Sequence, residues 1–259
     1  MCGRYAASAD RDQLVEEFEI DEVADEPGPP NFNVAPTDPV AAVVERHRRD
    51  DDGNRTDEVV RKLVQLNWGL VPSWSKDAKG GARMINARFE TVDSKPAFRK
   101  AFTSRRCLLP ADGFYEWYVT DTPGPKPVKQ PMFIHRSDGA TLVMAGLYEF
   151  WKSPEGHWVS TCSVITTTAT DALGHIHDRM PMVIGADRWA DWLNPDVTDP
   201  AQVRELLSVT EGDQLGAYAV SKLVNRVQNK GPELLEPLPS EDAPGADEDD
   251  NPLPLGQDQ

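Results

Sequence analysis

The spacing of apolar side chains predicts four short helices along the chain. In residues 10–20, apolar positions recur every three to four residues, and Asp10 with Gln13 matches a capping box at a helix start. In residues 94–106, Pro96 suits a first helical turn and aromatic side chains lie four apart. Two further helices are predicted at residues 186–193 and 201–207.

The middle of the chain has the pattern of extended strands, with short runs of β-branched and aromatic residues. The predicted strands cover residues 39–45, 62–71, 107–109, 113–119, 132–135, 141–150, 161–167 and 218–220. Polar residues 48–56, with Gly53-Asn54, predict a turn or an inserted hairpin tip. Strands dominate, helices interrupt them, and no internal repeat is seen. The predicted fold class is therefore α+β, a single β-rich domain with a curved or barrel-like mixed sheet and flanking helices.

The composition changes towards the end of the chain. From Pro232 onward the sequence is rich in proline and then acidic, a composition that cannot bury enough apolar surface to fold alone. We expect a folded domain over residues 2–231 and a disordered acidic tail over residues 232–259.

Charge is distributed unevenly. The chain carries 27 basic and 43 acidic residues, for a formal net charge of −16. This excess suits either adaptation to high salt or an ordinary acidic protein with a charged tail. Residues 83–106 run against the trend, with seven bases and two acids. Such a run indicates either an anionic partner or a basic helix face that pairs with nearby acids.

Cysteine usage and hydropathy exclude several classes of protein. The three cysteines are odd in number and far apart, which argues against a disulfide scaffold and a zinc ribbon. The longest apolar stretches, such as residues 141–147, are too short to cross a bilayer, and no apolar signal segment follows Met1. We therefore expect a cytoplasmic protein without membrane contact.

Cys2 is the first candidate for chemistry. If the initiator methionine is removed, Cys2 carries an α-amino group and a thiol on neighbouring carbons. The amine is partly neutral near pH 7 and the thiol is a strong nucleophile, so together they condense with aldehydes to a thiazolidine. The same unit would also serve an N-terminal-nucleophile hydrolase. The alternative is an inert residue at a frayed terminus.

Three further segments hold candidate groups. Glu116 lies between aromatic residues on a predicted strand, where it is either desolvated and suited to proton transfer or simply on the solvent face. His177, in a polar turn, is a candidate acid or base near neutral pH. His175 lies two residues earlier, but no acidic or cysteine partner at ligand spacing supports a metal site. Asn86 and Arg88 project to one face if extended, where they either contact a substrate or fix a loop.

Six segments, taken in order, resemble the SOS response-associated peptidase family, the abasic-site processing proteins. They are MCGRY (1–5), NFNVAP (31–36), WGLVPSW (68–74), INARFET (85–91), CLLPADGFYEW (107–117) and HDRMP (177–181). The resemblance covers roughly residues 2–230 and rests on the order of the six segments with cysteine at position two.

The resemblance implies a covalent activity on DNA. Such proteins bind single-stranded DNA, and the mature N-terminal cysteine, here Cys2, attacks the ring-opened aldehyde of an abasic sugar and ends as a thiazolidine. Asn86 would position the substrate or the amine, and Glu116 would assist proton transfer during Schiff-base formation. His177 would stabilise or protonate the sugar hydroxyl during ring opening and help reversal.

The resemblance also implies a DNA groove that leads to a buried N-terminus. Arg4, Arg88 and Arg179 would hold phosphates near the lesion, while Trp74 and Pro36 would pack on bases or wedge the strand. We expect a monomer without metal or cofactor, associated with the nucleoid. Self-cleavage ahead of the cysteine, a cysteine peptidase or amidase that uses Cys2 with His177, and a non-catalytic reader of single strands remain the alternatives.

Overall fold

The computed structural model describes residues 2–120, 127–169, 171–207 and 214–239, and it forms thirteen strands and five α-helices there. The strands are β1 (Tyr5–Ala7), β2 (Glu22–Val23), β3 (Asn31–Val34), β4 (Pro39–Arg49), β5 (Arg55–Trp68), β6 (Asn86–Arg88), β7 (Arg106–Ala111), β8 (Gly113–Thr120), β9 (Val128–Arg136), β10 (Leu142–Lys152), β11 (Trp158–Thr168), β12 (Arg179–Pro181) and β13 (Leu215–Ala219). The helices are α1 (Arg11–Glu17), α2 (Arg99–Ser104), α3 (Asp171–Gly174), α4 (Trp189–Leu193) and α5 (Pro200–Leu206).

The strands form two sheets, and the larger sheet closes on itself. Five strands follow the order β13-β9-β8-β1-β3, and eight are linked as β12-β11-β10-β7-β4-β5-β2 with β6 beside β11. Parallel pairing of β11 with β5, at Thr161–Asn67 and Cys162–Trp68, joins the two sides of the larger sheet. The path β11-β10-β7-β4-β5 is thus a ring, which confirms the predicted α+β class with its barrel-like mixed sheet.

The core is divided by this ring. The central cluster includes Cys2, Tyr5 and Trp68, and the last two meet edge-on with ring centroids 5.0 Å apart. A second cluster packs α1, α2, α4 and α5 against the outer face of the larger sheet, with Phe102 and Trp192 among its buried side chains. The N-terminal cysteine therefore lies among core residues rather than at a frayed end.

Local sequence signals predicted most helices and strands, and the observed bounds differ from the predicted ones mainly at the ends of the elements. Helix α1 has the predicted capping box, in which the Asp10 side chain accepts from Gln13 N and the Gln13 side chain accepts from Asp10 N. The predicted helix 94–106 shortens to α2, and residues 106–111 enter a strand instead. The polar segment 48–56 does contain a turn, but β4 and β5 extend into it as a long hairpin, where Arg48 and Glu58 form a 2.8 Å ion pair.

A C-terminal segment, residues 220–238, packs against the N-terminal half of the chain. The fully buried Asn33 side chain donates to the carbonyls of Val224, Arg226 and Asn229, at 2.9 to 3.1 Å. Leu234, beyond the predicted domain end at residue 231, is fully buried, and Leu238 N donates to Ala219 O. Packed structure thus continues past residue 231, while residues 240–259 of the predicted tail lie outside the described residues.

Replacement of Asn33 should loosen this segment. Asn33→Ala removes the amide that donates to three carbonyls of this segment and accepts from Arg4 Nη1, so we expect a loss of about 2–3 kcal/mol in the free energy of unfolding. Chemical denaturation followed by tryptophan fluorescence measures the change. Asn225→Ala is the matched control, since the Asn225 side chain is exposed and accepts from Trp117 Nε1. An effect of Asn33→Ala no larger than that of Asn225→Ala would contradict the anchoring role.

Candidate active site

Strand β1 fixes the position of the N-terminal residues. It lies between β8 and β3, with Tyr5 opposite Phe114, and Tyr115 N donates to Arg4 O at 2.9 Å. Because the two strands are antiparallel, residues ahead of Tyr5 extend along the part of β8 that carries Glu116. Cys2 is fully buried there, as the resemblance implied.

Asn86 contacts Cys2 directly. Its Nδ2 donates to the Cys2 carbonyl oxygen at 2.7 Å. Asn86 begins β6, which pairs in parallel with β11 so that Asn86 lies opposite Val164 of the central core. The Asn86 Oδ1 atom is buried and has no hydrogen-bond partner among the described residues. This side-chain carbonyl is therefore an available acceptor close to Cys2.

Burial governs the titration of Cys2 and Glu116. Burial raises the pKa of the Cys2 thiol, and the charge of Glu116 raises it further. Burial also raises the pKa of the Glu116 carboxyl, and interaction with His177 opposes this shift. Glu116 is thus a desolvated carboxyl that interacts electrostatically with the thiol, and the solvent-face alternative for this residue is wrong.

His177 lies in the segment between α3 and β12 and interacts electrostatically with Glu116. Its Nδ1 accepts from the backbone N–H of Arg179 at 3.0 Å, so the neutral ring carries its proton on Nε2. Asp178 Oδ1 lies 2.8 Å from the same Nδ1. The backbone contact constrains the ring more strongly, because the Asp178 side chain is 85% exposed and solvent screens its interaction.

Arg179 is held by neighbouring groups. Its Nη1 and Nη2 donate to the two carboxylate oxygens of Glu90, at 2.6 and 3.0 Å, and Nη2 also donates to Thr166 O at 2.6 Å. These bonds lower the pKa of Glu90. The buried Nε of Arg179 has no partner among the described residues, so one donor of this guanidinium stays available.

The other two predicted phosphate ligands differ in their freedom. Arg4 donates from Nη1 to Asn33 Oδ1 and Val224 O, at 2.7 and 2.9 Å, and lies over the Trp117 ring. Arg88, on β6, is exposed. Arg4 therefore already ties the N-terminal segment to the C-terminal one, whereas Arg88 faces solvent; DNA contact by either remains a prediction.

Pro36 and Trp74 lie in two loops at one end of β5. The Pro36 turn is joined to this end, because Thr37 N donates to Trp68 O at 2.7 Å. Trp74 follows in the next loop with 66% of its side chain exposed, beside Ser75, whose carbonyl accepts from Trp151 Nε1. Exposed aromatic area of this kind suits base stacking, and that role stays a prediction.

The basic run 83–106 does not form one cationic surface. Arg106 is buried and its guanidinium donates to the carbonyls of Phe102, Thr103, Trp192 and Asn194. Arg105 pairs with Glu149 at 2.7 Å in a largely buried contact. These two bases support the fold, and of the two only Arg105 pairs with an acid among the described residues, as the alternative of a basic face paired with nearby acids predicts.

The sequence did not mark every residue of the site. Glu90 entered only as one of two acids within the basic run, and Thr166 had no signal beyond its strand.

Among the described residues, no group of three or more His, Cys, Asp or Glu side chains is placed to hold a metal ion. No helix in the described part of the chain has the length and apolar character needed to span a membrane.

Cys2, at the second position of the chain, is thus buried in the central core cluster and in hydrogen-bond contact with Asn86. Comparison with known proteins gives the family. A family model described as SOS response associated peptidase (SRAP) matches residues 1–227. The chain belongs to this family.

Relatives are similar over most of the chain. Abasic site processing protein YoqW of Bacillus subtilis (strain 168) is 42% identical over 237 residues, covering 91% of this chain and 99% of that protein. Abasic site processing protein YedK of Escherichia coli (strain K12) is 30% identical over 247 residues, covering 92% and 100%. Abasic site processing protein HMCES of Mus musculus is 29% identical, covering 80% of this chain and 65% of that protein.

Solved structures share the fold. A crystal structure of a protein from Bacteroides thetaiotaomicron superposes with a TM-score of 0.73 at 23% identity, covering 92% of this chain and all of the other. A phage-related protein from Bordetella bronchiseptica gives a TM-score of 0.64 at 29% identity, covering 85% and 95%.

Proposed function

We propose that this protein acts on abasic sites in single-stranded DNA and forms a covalent crosslink through Cys2 after removal of Met1. The names of the relatives, abasic site processing proteins, support the substrate class. The observation that carries the chemistry is the contact of Asn86 with Cys2, beside the desolvated carboxyl of Glu116.

The proposed reaction has two bond-forming stages. The neutral amine of Cys2 adds to the aldehyde carbon of the ring-opened sugar, and loss of one water gives a Schiff base. The thiol then adds across the C=N bond, so that sulfur binds carbon and the thiol proton ends on nitrogen. The product is a thiazolidine, and no redox partner is required.

Each neighbouring side chain has a task in this scheme. Protonated Glu116 donates to the departing hydroxyl of the carbinolamine, a step for which a raised pKa is favourable. The free Oδ1 of Asn86 accepts from the amine and orients it. His177, with its proton on Nε2, donates to the sugar hydroxyl during ring opening.

The electrostatics of Cys2 favour this reaction over a cysteine peptidase. A peptidase thiol works as a thiolate, and its pKa is usually lowered by neighbouring positive charge. Burial and Glu116 shift the pKa of Cys2 in the opposite direction. In the crosslinking scheme the amine attacks first, so the thiol can stay protonated until the Schiff base has formed.

Intact-mass spectrometry tests the proposal. We expect the purified protein to lack Met1 and, after incubation with a uracil oligonucleotide treated with a glycosylase, to gain the mass of the abasic strand minus one water. The same strand without the abasic residue should add nothing. Protein that retains Met1, or that turns over peptides and gives no adduct, would contradict the proposal.

A further inference from the structure

An aromatic pair borders the candidate site without a task in the proposed chemistry. The rings of Tyr118 and His175 meet edge-on, with centroids 6.3 Å apart and planes at 65°. Tyr118 is half-buried against the central core and His175 is exposed. In an edge-on pair, the ring that offers its edge keeps both of its faces uncovered by its partner.

The backbone places this pair next to the reactive groups. Tyr118 follows Glu116 by two residues on β8, so both side chains project from the same face of the strand. His175 precedes His177 by two residues, and the charge of His177 acts on Glu116. The segment before β12 therefore runs beside the end of β8, with His177 near Glu116 and His175 near Tyr118.

The substrate supplies a reason for rings at this position. An abasic residue has no base, so each flanking base lacks a stacking partner on the side of the lesion. Aromatic side chains stack on bases of single strands with little sequence preference, because every base has a π face. The Tyr118 ring, two residues along β8 from Glu116, is placed to stack on a flanking base on the side of the lesion.

We propose that Tyr118 and His175 form a subsite that stacks on the nucleobase directly flanking the abasic residue. This subsite rests on the proposed function and deepens it, since it names a part of the substrate beyond the abasic sugar. It also predicts that recognition needs a base on one side of the lesion and tolerates its identity.

The effects of removing the Tyr118 ring and of removing the flanking base on the crosslinking rate should not be additive. The substrates are single-stranded oligonucleotides with a central abasic residue, whose 5′ or 3′ neighbouring base is either present or replaced by a tetrahydrofuran residue. Tyr118→Ala should slow crosslinking about tenfold at subsaturating protein when both bases are present. One of the two replacements should slow the wild-type protein to a similar degree and have little further effect on Tyr118→Ala.

Two variants serve as controls. Tyr118→Phe keeps the ring and should retain the wild-type rate. Trp158→Ala removes another exposed aromatic side chain, 67% exposed and beside Lys152, and should leave the rate unchanged. Thermal unfolding of each variant shows that the fold is intact.

A second readout separates the subsite from the covalent chemistry. Fluorescence anisotropy measures equilibrium binding to oligonucleotides with a central tetrahydrofuran residue, which has no aldehyde. If Tyr118→Ala weakens binding equally on all oligonucleotides, or does not weaken it at all, the subsite is overturned. Crosslinking by the wild-type protein would still support the proposed function in that case. Coupling in binding without any wild-type crosslink would uphold the subsite and overturn the chemistry.

Discussion

Cys2→Ala should abolish the heat- and SDS-resistant complex with abasic DNA, a loss of at least about a hundredfold in crosslink yield. The variant keeps an N-terminal amine, so a Schiff base still forms, but it has no thiol to close the ring. Denaturing gels after incubation with abasic oligonucleotide measure the complex. Addition of borohydride during the reaction should trap the Schiff base and restore a stable band.

Two further variants define what this result means. Cys2→Ser retains a small polar side chain and should behave like Cys2→Ala, because the hydroxyl is a much weaker nucleophile. Cys162→Ala removes another fully buried thiol and should still crosslink. A stable complex with Cys2→Ala in the absence of reductant would rule out a thiazolidine through this residue.

Glu116→Gln should slow crosslinking about 10- to 100-fold while equilibrium binding to abasic-analogue DNA changes less than about threefold. Glutamine has nearly the same shape but cannot donate a proton to the departing hydroxyl. Glu45→Gln is the matched control, since Glu45 is also a strand glutamate but pairs with Arg61 elsewhere in the fold. Equal losses of rate and binding would assign Glu116 a structural role.

The pH profile should separate the same two roles. The amine reacts when it is neutral, so the rate rises with pH through the pKa of the amino group. Glu116 donates only while protonated, so the rate falls as pH rises through its own pKa, which burial shifts upward. The wild-type profile should therefore be bell-shaped, and Glu116→Gln should lack the falling limb. A falling limb that persists in the variant would contradict the assignment.

Elements with local signals could be predicted from the sequence, and elements set by distant partners could not. The capping box of α1 lies within four residues, so its start was evident. Strands β1 and β6 have three residues each, too few for a periodic pattern, and they exist because β8 and β11 pair with them. Arg106 looked like part of a cationic surface, but its carbonyl partners include Trp192 and Asn194, more than 80 residues away in sequence.

The candidate site divides in the same way. The chemistry of residue types identified Cys2, Glu116, His177 and Asn86 as candidates, and the family resemblance gave each of them a role. The contacts between them come from the fold, which brings Asn86 Nδ2 to the Cys2 carbonyl across 84 positions of sequence. The ion pair of Arg179 with Glu90 and the ring contact of Tyr118 with His175 depend on the same long-range packing.

The register of β1 against β8 has a practical consequence for protein engineering. Tyr5 is fixed opposite Phe114, so only Gly3 and Arg4 separate the anchored strand from Cys2. Insertion or deletion of one residue in this two-residue spacer would move the cysteine by one residue along the strand and turn its side chain to the other face. Purification tags therefore belong at the carboxyl end. The length of the spacer between Cys2 and β1 matters as much for the position of the thiol as the presence of the cysteine itself.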